Sequence, residues 1–344
     1  MERTFRSLTE GKSKDLESRD RMMKVKKTYI TAVIALLALV SCQKEEAYTG
    51  PCDVRFKAYV QDEVSVTRAT TYTDISSTNT PAFIAGMFVW SGLTVSESTL
   101  TWNGTNATSN LGLEQGDYTI YGYAPKHDEA TFDPTTQEMT VPGISGLSSE
   151  DAIVILPKEL KIEQDDRSKD VTLQLHHMMA KITPRFYLNS TYADLRTIKI
   201  KKVQFWIEGG ADTHTATVTY TDDADKPYNI AWTKGEPIEQ QLEVYSVSGS
   251  EAIELTTTKG AQEYGCCYLC PNQSTALLKM HVTYDVYDKT GQLTRSNAEA
   301  MNTIKKLNTQ DIVPGTDYKL NIQIVPTYLY VLSDNDEESL VINE

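Results

Sequence analysis

Helical periodicity is nearly missing from this chain. Across its 344 residues the best helical candidate is Asn302 to Leu307, little more than one turn, which excludes a helical bundle. Long apolar runs are missing as well: the segment Tyr29 to Val40 holds nearer a dozen residues than the roughly 20 that cross hydrocarbon as a helix. Basic residues are the minority, 33 against 47 acidic, for a formal charge of −14, so nucleic acid and anionic lipid are disfavoured as electrostatic partners. There is no Gly-x-Ser-x-Gly, no His-Glu-x-x-His and no phosphate-cradling glycine loop. Carboxylates abound without any pair standing out as a glycosidase couple, so an enzyme is not expected, nor a cofactor. No tandem repeat of fixed period is visible. Cysteine is scarce, at five residues. The cluster Cys266, Cys267 and Cys270 lacks a second Cys/His pair to complete four metal ligands; buried or strand-facing thiols are expected and no metal. The pairing of Cys52, Cys266, Cys267 and Cys270 is left open by the sequence.

What is present begins at Met22. Lys24, Lys26 and Lys27 precede the apolar segment, and Leu39, Val40, Ser41 and Cys42 close it in small residues and a cysteine. That is the anatomy of a secretory signal over residues 22–41, with 1–21 as an upstream extension outside the fold. The ending Leu-x-Ser-Cys resembles a bacterial lipobox, which implies lipidation of Cys42 and cleavage just before it; acyl chains such as palmitate then hold residues 42–51 as a tether at the membrane. Gln43, Lys44, Glu45 and Glu46 are similar to the surface-export signal of Bacteroidetes lipoproteins. Without residues 1–41, 24 basic and 42 acidic residues remain, a formal charge of −18.

From Val54 onward the apolar period is two. Val54 to Val60 and Tyr118 to Tyr123 alternate, and Ala152 to Leu156 is continuously apolar up to Pro157, as a strand covered on both faces would be. In Ala276 to Tyr287, the residues Leu278, Met280, Val282, Tyr284 and Val286 share one face; in Tyr318 to Ile324, Tyr318, Leu320, Ile322 and Ile324 do so. Ile198 to Ile207 changes phase at Lys201-Lys202, which predicts a bulge there. Strands every ten residues or so, separated by turn-rich intervals, predict an all-β chain of antiparallel sandwiches. Two are expected, over 52–170 and 171–332, with the polar stretch Asp165 to Asp170 as the join and 333–344 as an acidic tail or donor segment; a single large sandwich is the alternative. His176 and His177 are neighbours on a strand, so they point to opposite faces and read as structural.

Val171 to Ile182, which contains Leu-x-His-x-Met-Ala-Lys-Ile, resembles a stretch of the fimbrillin family of Bacteroidales. Pro314 to Leu320 and Pro326 to Leu332 resemble that family's closing strands. The resemblance implies two tandem transthyretin-like β-sandwiches in a subunit of a type V pilus, delivered to the outer membrane as a lipoprotein and serving cell adhesion, with other pilin subunits as partners and a surface receptor as a possible one. It also implies proteolysis after an Arg behind the lipidated Cys, followed by donor-strand exchange. Arg68 before Ala69, 26 residues beyond Cys42, is the matching position; Arg55 is a weaker one because it sits inside a strand pattern. The donor candidates are Tyr328, Leu329, Tyr330, Val331 and Leu332, or Leu340, Val341 and Ile342. Asp334 and Asp336 between them lack the glycine and the later acid of a calcium loop. The alternative reading is a surface glycan-binding lipoprotein that uses Trp90, Trp102, Trp206 or Trp232 as stacking platforms.

Overall fold

The computed structural model describes residues 50–62, 71–74, 82–103, 107–209, 211–223, 226–238, 241–271, 278–304, 312–325, 328–333 and 340–341. The first half contributes β1 (Cys52–Asp62), β2 (Thr71–Asp74), β3 (Phe83–Trp90), β4 (Val95–Trp102), β5 (Ala107–Ser109), β6 (Gly112–Leu113) and β7 (Gly116–Ala124). It continues with β8 (Thr131–Asp133), β9 (Glu138–Ser145), β10 (Leu147–Ser148), β11 (Ile153–Ile162) and β12 (Ser168–His177). The second half contributes β13 (Ala180–Leu188), α1 (Ser190–Ala193), β14 (Arg196–Ile207), β15 (Ala211–Tyr220), β16 (Tyr228–Ile238) and β17 (Gln241–Ser246). It ends with β18 (Ile253–Glu254), β19 (Cys267–Leu269), β20 (Leu278–Asp288), β21 (Leu293–Thr303), β22 (Asp317–Val325), β23 (Tyr328–Ser333) and β24 (Leu340–Val341). The chain is thus all-β, and α1 is a single turn capped by the Asn189 side chain.

Four sheets form among the described residues. The first runs β2-β1-β12-β11-β7-β3-β4-β5, with β6 also on β1; the second runs β10-β19-β13-β22-β23-β24; the third runs β17-β14-β20-β21, with β18 on β14; the fourth runs β16-β15-β9-β8. β11 pairs with β12 only over Ile153–Ile155, bulges at Leu156-Pro157, and continues against β7. β12 continues against β1. The first sheet therefore splits into two layers around a core that holds Val54, Phe56, Met87, Leu100, Ile155 and Leu173. A second core, with Phe186, Phe205, Tyr264, Met280 and Ile322, lies between the second and third sheets. A third, with Phe88, Tyr121, Val154, Met139 and Val218, lies between the first and fourth.

The apolar run Ala152 to Leu156 divides as its pattern predicts: Ile153 and Ile155 enter the first core and Val154 the third. The bulge in β14 is also where the sequence places it. The register against β20 shifts between Ile200 and Lys202, so Ile198 and Ile200 before it and Val203, Phe205 and Ile207 after it are all buried. Lys201, the extra residue, reaches Asp285 Oδ2 at 3.5 Å and donates to Asn297 Oδ1 at 2.6 Å. Asp285 is nearly covered, with 6% of its side chain exposed, and a buried carboxylate stripped of its cation is costly. Lys201→Met is expected to lower the unfolding free energy by about 2 kcal/mol, measured as a shift in urea midpoint at constant slope.

The polar stretch Asp165 to Asp170 carries the turn from β11 into β12: Asp166 N–H donates to Glu163 O, Lys169 Nζ lies 3.1 Å from Asp166 Oδ2, and Ser168 already starts β12. From β12 the chain passes to β13 through Met178-Met179, both buried. Each half then opens and closes on strands that lie side by side in parallel, β1 with β12 and β13 with β22. The β15-β16 hairpin of the second half pairs with β9 of the first, so the halves share the fourth sheet. Asn302 and Thr303, expected in a helical turn, end β21.

Candidate functional site

β1 is strand-forming by its alternation. Cys52, Val54 and Phe56 point inward and are 1%, 2% and 6% exposed, while Asp53, Arg55 and Lys57 face solvent. One edge of β1 is fully engaged: eight register pairs, Asp53↔Ser168 through Val60↔Leu175, join it in parallel to β12. The other edge is held at its ends, by β6 at Cys52 and Asp53 and by β2 at Tyr59–Asp62. Between them Val54 N–H donates to Leu111 O at 3.1 Å, and Ser109 Oγ donates to Val54 O at 3.4 Å. On the outer face Arg55 meets Asp53 at 3.3 Å and Lys57 meets Asp170 at 3.6 Å, all well exposed, so these ion pairs contribute little. Burial pushes the Cys52 thiol up, which makes it an inert filler.

β1 is therefore a strand at the head of the body whose inward residues help to close the first core. Its equivalent in the second half, β13, sits between β19 and β22. At the other end of the chain, β23 lies antiparallel on β22, with Ile322↔Val331 and Ile324↔Leu329. β24 follows on β23, with Tyr330↔Val341 and Val331↔Leu340. These two strands end the second sheet, so they leave without opening an internal ladder. Cys42, Arg68, Ala69 and Ile342 lie outside the described residues. Arg68 belongs to the segment 63–70 that joins β1 to β2, so a cut after it divides the chain between those two strands. Pairing of β2 with β1, which sequence reasoning missed, means that losing β1 also strips β2 of its ladder.

His176 and His177 do face opposite ways. His177 Nδ1 hydrogen-bonds Asp151 Oδ2, a partner 26 residues away that no local pattern announces. Asp151 is buried and its carboxyl is raised by that burial, with the hydrogen bond to His177 opposing. His176 lies 3.0 Å from Gln174 Nε2 and meets the Tyr228 ring edge-on at 5.4 Å. Burial first, and the neighbouring His177 second, push His176 down to about 4. A histidine depressed in the folded state stays neutral there while the unfolded chain takes up its proton, so its contribution is lost as pH falls from its ordinary value of 6.5 toward 4. Asp151 opposes this in part, because a raised carboxyl gains stability on protonation. The difference between wild type and His176→Gln isolates the histidine: the wild type should lose about 1 to 2 kcal/mol more over that window, read from urea midpoints across pH.

Trp102 is buried, Trp90 and Trp232 pack on the third core, and Trp206 lies on the outer face of β14, edge-on to His281 at 6.5 Å. Cys52, Cys267 and Cys270 are buried and Cys266 half-buried, all as free thiols. No group of three or more His, Cys, Asp or Glu positioned to hold a metal occurs among the described residues.

No family profile matches the chain, and no curated protein sequence matches it. Among solved structures it is similar to a candidate cell adhesion protein of Bacteroides uniformis, at 16% identity and a TM-score of 0.45, over 82% of this chain and 96% of the other. It is similar to a fimbrial protein of Bacteroides vulgatus at 13% identity and a TM-score of 0.38, over 83% and 98% of the two chains. It is also similar to candidate polysaccharide-binding proteins of Bacteroides thetaiotaomicron at 9% identity and a TM-score of 0.36, over 85% and 99%.

Proposed function

We propose that the chain is a structural subunit of a surface fimbrium, exported to the outer membrane as a lipoprotein on Cys42, polymerised by strand exchange after cleavage at Arg68, and serving adhesion without catalysis or cofactor. The observation that carries this reading is the placement of β1: an N-terminal strand, joined to β2 through the segment that contains Arg68, and seated in a groove whose long wall is β12. When β1 leaves, β12 is left with a row of unpaired backbone groups and an apolar trough, the template that an extended chain completes. A strand from a neighbouring subunit regains the same burial and ladder bonds, so the exchange is nearly isoenergetic, and durability rests on the barrier to withdrawal. Of the two candidate donors, Tyr328 to Leu332 and Leu340 to Ile342, the first supplies the longer apolar run.

Mass spectrometry of material sheared from the cell surface tests the reading. A peptide that begins at Ala69 in assembled protein is the expected result. Assembled protein that still carries a lipidated Cys42 contradicts it.

A further inference from the structure

A cleft of about 620 Å³ opens beside the point where β11 bulges away from β12, on the side covered by the turn between β15 and β16. Pro157 and Lys158 come from the bulge, Thr172 and Gln174 from the outward face of β12, and Thr221 and Pro227 from the turn. The two arms of the turn are tied together, since Thr221 N–H donates to Pro227 O at 2.9 Å and the Thr221 hydroxyl to Lys226 O. The Gln174 amide is positioned too, at 3.0 Å from His176 Nε2, and His176 is in turn held by the Tyr228 ring. The volume lies in the range of small-ligand sites, where apolar walls carry a few convergent polar groups.

We propose that this cleft binds a short saccharide, one or two sugar units of a glycan. A sugar ring presents hydroxyls that both donate and accept, together with apolar C–H faces. The amide of Gln174 and the hydroxyls of Thr172 and Thr221 match the former; the apolar rings of Pro157 and Pro227 match the latter. The described lining is neutral apart from Lys158, which suits a polyhydroxylated ligand. Thr172 and Gln174 stand on β12 opposite Lys57 and Tyr59 of β1; the cleft uses their outward side chains and the groove uses the β12 backbone edge, so the two sites share a strand without sharing atoms. The cleft is also distinct from Trp206, on another sheet.

Saturation-transfer NMR and calorimetry on the mature chain, with a panel of neutral and uronic mono- and disaccharides, test the proposal. At least one sugar should bind, and Gln174→Ala should weaken it about tenfold, the loss of one or two hydrogen bonds. Trp206→Ala should leave it unchanged. Lys158→Ala, at an exposed position, serves as a second variant should Gln174→Ala lower the unfolding midpoint. No binding by any sugar at millimolar concentration overturns the proposal, as does binding that ignores both cleft variants. Filament yield from Gln174→Ala cells, read in parallel, should match wild type, which separates failure of this site from failure of strand exchange.

Discussion

A chain that begins at Ala69, and so lacks β1, is expected to lose most of its stability. Val54 and Phe56 are almost wholly covered, and burying such side chains contributes about 1.5 to 3 kcal/mol each, or roughly 3 to 6 together. The parallel ladder to β12 spans eight register pairs, and each hydrogen bond adds about 0.5 to 1.5 kcal/mol. The sum is comparable to the whole margin of a typical domain, about 5 to 15 kcal/mol. Thermal unfolding should therefore shift down by roughly 15 °C or more, with aggregation through the uncovered edge of β12. Adding a synthetic peptide of residues 52–62 should restore the midpoint, and a peptide of residues 328–341 should do so as well when it acts as donor. A truncated chain that melts with the intact one would show that the groove is not an open acceptor.

The second large effect is expected at Gly265. Its φ is +73°, and a Cβ there would come within 1.9 Å of the Val244 carbonyl oxygen. That oxygen is main chain in β17 and cannot swing aside as a side-chain tip can. The neighbouring Tyr264 is fully buried, with its ring edge-on to Phe186 at 5.2 Å and to Tyr245 at 5.0 Å, so a shift of this segment disturbs the second core. Gly265→Ala combines left-handed strain with backbone displacement and should cost about 4 kcal/mol or more. Gly209→Ala is the control. Its φ is +84° with nothing within 4 Å, so strain acts alone and the cost should be about 1 kcal/mol. Equal midpoints for the two variants in urea would contradict the packing argument.

Local patterns in the sequence report what a strand does with its own side chains, and there the reading and the structure agree. The alternation in β20 and β22, the two-sided burial of Ile153 to Leu156 and the phase change at Lys201 are all local facts, settled by which face meets a core. Long-range pairing is different. That β15 lies against β9, and that Asp151 meets His177, follows from how distant segments stack, and neither is encoded in spacing. Composition alone also fails to separate a linker from a turn: Asp165 to Asp170 is polar throughout and leads from β11 into β12, whereas Met178-Met179, between β12 and β13, is apolar because the third core covers it. Gly265 stands among apolar residues in the sequence, and only the approach of Val244 reveals why glycine is needed. In the candidate site, the inward set of β1 was legible, but its partner on the ladder was not.

A disulfide that ties β1 to its groove addresses the central claim most directly. Arg55 and Asp170 are exposed register partners across β1 and β12, so Arg55→Cys with Asp170→Cys can lock the strand in place at a position that alters no inward contact. Subunits locked in this way should reach the surface and be cut behind β1, yet form no filaments under the electron microscope until a reductant is added. Filaments at wild-type abundance with the bond intact would mean that β1 stays seated during assembly, and the account would be wrong.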